Sequence, residues 1–137
     1  MSTGSLQSRA RPSRIVLHAI LASLLAAKGG YAADITWGNV GSTWSTGANW
    51  VGGTAPANST TADKAVFGAE GAAPVNPNLT AARSINGLIF NSGAYAYTIG
   101  GSLLTIGSAG IVNNATNTQT LSNVATSTSA IWTTASG

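Results

Sequence analysis

The chain contains no cysteine, and its only histidine, His18, lies near the start. Thiol nucleophiles, disulfide frameworks and zinc sites built from the usual Cys and His ligands are therefore excluded beyond that point. Charge is almost as scarce. Asp, Glu, Lys and Arg make up 7% of the 137 residues, where an ordinary globular domain carries about 25%. Hydroxyls and amides must solvate the surface instead. Also missing are calcium-loop Asp repeats, a phosphate-cradling Gly-Lys loop and a dinucleotide fingerprint after a strand. No metal and no cofactor are expected.

The extended apolar run Ile15 to Ala27 is thirteen residues long, interrupted by His18 and Ser23, whereas a membrane-spanning helix needs about 20. Arg9, Arg11 and Arg14 precede it, and Gly30-Tyr31-Ala32 offers small residues where a signal peptidase reads. Residues 1–32 read as a secretory signal peptide cut after Ala32, with export through a Sec-type route because Arg9 and Arg11 are not adjacent. The formal charge of +3 resides in Arg9, Arg11, Arg14 and Lys28. From Ala33 onward, Lys64 and Arg83 face Asp34, Asp63 and Glu70, a balance of −1. The basic footprint of a nucleic-acid binder is missing, as is a polybasic surface for anionic lipid. No membrane insertion is expected in this segment.

What is abundant is short apolar alternation punctuated by glycine. In Ser84 to Val112, Leu88 and Phe90 share a face, Tyr95, Tyr97 and Ile99 alternate, and Leu104 and Ile106 resume after Gly100-Gly101. Period two in runs this short, rich in Ile, Tyr, Thr and Phe, indicates strands with one buried face. Two arrangements fit equally. Gly100-Gly101 could turn a hairpin, or it could turn the corner of a solenoid whose rungs stack on one another.

Residues 34 to 67 are the most distinctive. Trp37, Trp44 and Trp50 are followed by Gly52-Gly53, Pro56 and the strand-like Asp63-Lys64-Ala65-Val66-Phe67. The order W…W…NW, GG, P, D-x-AVF, INGLIF, YTI, LLTI, GIVNN resembles the autotransporter-associated β-strand repeat proteins, over nearly all of residues 34 to 121. The resemblance implies an all-β, right-handed parallel β-helix in a large exported bacterial protein. The expected organisation is a signal peptide over 1–32, a Trp-rich cap with the first strands over 33–83, and solenoid rungs over 84–137. The family's C-terminal barrel or sorting tail is not matched. Ile131 to Thr134 reads as one more strand with no cap after it, so the chain is expected to be the N-terminal piece of a longer one.

Asp34, Asp63 and Glu70 are the only carboxylate side chains after the leader. Asp63 and Glu70 could be cast as a glycosidase pair, but Asp63 stands at the start of a strand, where Asp bonds nearby backbone amides. No catalytic residue is expected. Trp37, Trp44 and Trp50 are the candidate carbohydrate contacts, since open aromatic faces suit sugar rings. The competing reading makes them a lid over the open end of the first rung. The Asn/Thr tract Asn113 to Thr128 either adheres to glycans or fills turns. The expected function is a non-enzymatic exported scaffold or passenger-type surface protein acting in adhesion. It would lie at the cell surface, on the outer membrane or outside the cell, with surface glycans or cell-surface proteins as partners. The alternatives are a carbohydrate-binding module using the three tryptophans, or the N-terminal part of a β-helical polysaccharide-degrading enzyme.

Overall fold

The computed structural model describes residues 32–127 and 129–134; the signal peptide expected over 1–32 lies almost wholly outside them. Nine short strands follow one another: β1 (Asp34–Thr36), β2 (Lys64–Phe67), β3 (Asn78–Leu79), β4 (Arg83–Phe90), β5 (Thr98–Gly101), β6 (Leu104–Asn113), β7 (Thr120–Leu121), β8 (Val124–Thr126) and β9 (Trp132–Thr134). Every strand-to-strand pairing is parallel. The described residues contain no α-helix, only a 3-10 turn at Gly47–Asn49.

The register sorts the strands into three stacks. Asp34, Lys64, Gly87 and Gly110 lie one above another, so β1, β2, the second half of β4 and the second half of β6 share a face, which β9 completes. Arg83, Leu104 and Val124 align the first halves of β4 and β6 with β8. Asn78 pairs with Gly100 and Thr98 with Thr120, stacking β3, β5 and β7. From Lys64 to Gly87 and from Gly87 to Gly110 the step is 23 residues each, while Leu104 to Val124 takes 20. Each step advances the chain by one strand spacing, about 4.8 Å. This is a parallel β-helix of about three turns.

The hairpin alternative fails at Gly100-Gly101. β5 pairs with β3 and β7, not with β6, and Gly101 turns the corner between faces with a φ of 95°. A Cβ there would drive into the backbone of Leu79 one turn below, so the corner needs glycine for space as well as conformation. The other sharp corner divides β4. Register shifts between Ile85 and Gly87, where the single residue Asn86 stands opposite three of β6, Gly107, Ser108 and Ala109. Its N–H reaches Asp63 O at 2.9 Å, while its Oδ1 accepts from Ala109 N at 3.3 Å. This one corner residue thereby ties three successive turns.

The core follows from the alternation. Leu88, Phe90, Ile99, Leu104 and Ile106 all point inward and are buried, as their spacing predicts. Ala65, Leu88 and Ile111 form one vertical column, and Phe67 and Phe90 another, with ring centroids 5.1 Å apart. Like side chains meet on successive turns because parallel in-register strands put equivalent positions directly over one another. The solenoid starts before Ser84: β2 and β3 already align with β4 and β5, and β4 runs straight through positions 83 and 84.

Candidate functional site

The chain between β1 and β2 takes 30 residues where later turns take 20 to 23, and the excess carries the three tryptophans. Trp37 meets Trp50 edge-on at 4.8 Å, and Trp44 meets Trp50 edge-on at 4.9 Å. All three rings lie 6.3 to 6.4 Å from Phe67, the top of the aromatic column. The indole N–H of Trp37 donates to Val75 O at 2.8 Å, and that of Trp50 to Trp44 O at 2.7 Å, so these two buried polar tips are satisfied. Exposure of the three residues is 0, 2 and 2%. As candidate carbohydrate contacts, Trp37, Trp44 and Trp50 must therefore be corrected. Their faces are spent on one another and on Phe67, and none is open to a sugar ring.

The same segment covers strand edges. Trp37 and Trp50 form an antiparallel bridge just beyond β1, flanked by Gly38 N–H to Asn49 O and Val51 N–H to Thr36 O, both 2.8 Å, which takes the last carbonyl on the free side of β1. Asn78 N–H reaches Ser42 O at 2.6 Å, and Trp44 N–H reaches Asn78 O at 3.0 Å, covering β3. Ser59 N–H donates to Ser84 O at 3.1 Å, and Asn58 Oδ1 accepts from Ser84 N at 2.6 Å, covering the start of β4. All three faces of the solenoid are met at this end, a direct answer to the hazard of unpaired edges.

Asn39 binds the lid down. Its backbone is left-handed, φ 54°, a region that Asn tolerates better than most residues. From there its Nδ2 donates to Glu70 O at 2.6 Å and to Tyr97 Oη at 2.7 Å, and its Oδ1 accepts from Val75 N at 2.9 Å. Tyr97 in turn donates to Gly68 O at 2.9 Å. Burial pushes the Tyr97 phenol above its ordinary value; the hydrogen bond from Asn39 opposes the rise, and the Glu70 charge adds to it. Glu70 Oε2 is screened from solvent without a hydrogen-bond partner. The sequence suggested Asn39, with Asn49, as a partner for sugar hydroxyls and not as this tie, although Trp37-Gly38-Asn39 offers a residue suited to positive φ beside a tryptophan.

Asp63 does what its position at the start of a strand predicts. Oδ1 accepts from Ala33 N at 3.3 Å and Oδ2 from Ala57 N at 2.8 Å. Asp34 pairs with Lys64 at 3.1 Å. In the Asn/Thr tract, Asn117 Nδ2 reaches Ala94 O, Gln119 reaches both Tyr97 N and Tyr95 O, and Asn123 Nδ2 reaches Gly101 O. These amides staple one turn to the one before, which engages part of the flat polar face that an adhesive ladder would need.

The opposite end is the candidate interaction site. β7, β8 and β9 each pair on one side only among the described residues, with β5, β6 and β6. Trp132 sits in register with the buried Ile111, hence in the inward column, yet is 62% exposed, and its neighbour Ile131 is 68% exposed. Leu121 and Val124, the inward residues of the other two faces, are only half-buried. No family model, no curated protein and no solved structure matches the chain.

Proposed function

We propose that the chain is an exported, non-enzymatic β-helix scaffold of the autotransporter-associated repeat type, displayed at the cell surface and acting in adhesion. The observation that carries this reading is the contrast in finish. One end is closed by a dedicated aromatic lid, while among the described residues β7, β8 and β9 pair on one side only and Trp132 lies exposed in an inward column. A solenoid turn needs a neighbour over its apolar face, so this layer suits a partner that adds parallel strands. The low charge supports an external, repeat-built surface over an intracellular domain.

The reading is tested on intact cells. Antibody against residues 33–137 should label them, protease should strip the label, and a deletion strain should bind less to glycan-coated or cell-coated surfaces. Recovery of the chain from the cytosol with Met1 in place would overturn it.

A further inference from the structure

The leader motif and the fold converge on one atom. Gly30-Tyr31-Ala32 directs cleavage to the bond before Ala33. Among the described residues Ala33 is also where the fold takes hold: its carbonyl accepts from Lys64 N at 2.8 Å. Its nitrogen lies 3.3 Å from Asp63 Oδ1. Asp63 is itself fixed, since Oδ2 accepts from Ala57 N at 2.8 Å. The neighbouring charges are already matched to each other, Lys64 with Asp34 at 3.1 Å.

We infer that Asp63 is a preformed receptor for the new amino terminus, so that removal of the leader creates an ion pair between the Ala33 α-ammonium and the Asp63 carboxylate and clips β1 onto the first turn. The inference rests on the export reading. Chemically, a signal peptidase adds water across the Ala32–Ala33 amide: hydroxyl goes to the Ala32 carbonyl carbon, and the Ala33 nitrogen leaves as an amine that is protonated at neutral pH. Before the cut, that nitrogen is a neutral amide offering one hydrogen. Afterwards it is a cation offering three, at hydrogen-bond distance from an anion. Charge assistance strengthens such a bond. Position matters as much as charge: a cut one residue away shifts the amine by about 3.8 Å along the chain, outside the reach of Oδ1.

The full chain with its leader is expressed in a bacterial host, and the exported protein is recovered. Its terminal residue is read by mass spectrometry, and its α-amine is labelled with limiting acetic anhydride at neutral pH. An ion-paired amine is less often in its reactive neutral form. The expected result is a chain beginning at Ala33 whose α-amine labels about two- to fivefold more slowly than in Asp63→Asn, the range for an exposed pair. Asp34→Asn should label like the parent. A second variant, one serine added before Ala33 with Asp63 intact, should also label faster, which covers the case in which Asp63→Asn does not fold. A chain beginning at Ala33 but labelling at the same rate in all forms overturns the pairing and leaves export standing. An exported chain beginning elsewhere overturns the cleavage register. An uncut chain retained in the cell overturns both readings.

Discussion

At the N-terminal end of the solenoid, Trp37, Trp44 and Trp50 are hidden, and the adjoining strand edges are met by backbone from the same excursion. At the C-terminal end another tryptophan, Trp132, occupies an inward register position and remains largely in solvent. Residue type is the same; what differs is the chain around it. The lid needs a 30-residue turn with a left-handed Asn39, a 3-10 turn and two glycines at positive φ, Gly52 and Gly53, to fold indoles back over Phe67. β9 has only three residues following a regular step. An aromatic ring is core when the backbone brings a second layer over it, and surface when it does not.

That contrast can be broken most sharply at Trp37. Trp37→Ala removes a fully buried ring from the lid and should cost about 3–5 kcal/mol, seen as a large drop in thermal midpoint. A loss under about 1 kcal/mol would mean the lid is not part of the cooperative core. Next comes the middle of the stack. Ile106→Ala should cost about 2–5 kcal/mol in denaturant unfolding, since its column is closed on both sides by neighbouring turns. Asn39→Ala leaves Val75 N–H, Glu70 C=O and one Tyr97 contact without their partner. It should cost about 1–3 kcal/mol, with faster amide exchange confined to the lid and the loop around Glu70.

Tyr97 tests the lid through pH. Its folded-state ionisation lies above the ordinary 10.0, chiefly through burial. The stability it contributes is therefore complete below the unfolded value and is lost as pH rises through the folded one. Tyr97→Phe should remove that alkaline loss, measured by comparing unfolding at about pH 9 and about pH 11. The smallest effect belongs to the open end: Trp132→Ala should change stability by within about 0.5 kcal/mol, as for ordinary surface positions. A loss comparable to that of Trp37→Ala would show that something covers it in solution.

Inward positions, glycine corners and the Asp63 bond to Ala57 were legible in the sequence because they are local. Leu88 and Phe90 need only period two, and Gly100-Gly101 needs only its lack of a side chain. The solenoid was not settled by those signals, since a glycine pair serves a hairpin or a corner equally well until the partners of β5 are known. The tryptophans were ambiguous for a similar reason. Whether an indole is lid or platform depends on Phe67, 30 residues beyond Trp37, and on Val75, 38 residues beyond it. The amide staples were the least legible. Asn39 to Tyr97 spans 58 residues, and nothing near Asn39 announces its partner.

The lid has a consequence for how these molecules can associate. A rod of stacked parallel turns would lengthen without limit if its top could receive the bottom of the next, because a head-to-tail contact that does not close generates a fibre. The bonds that the lid segment makes to Thr36, Asn78 and Ser84 take up backbone groups that such a contact would use on all three faces. With those groups taken, the capped end offers a second molecule's strands fewer partners for such a contact. The tryptophan layer is thus a brake on polymerisation as well as a cover for the core.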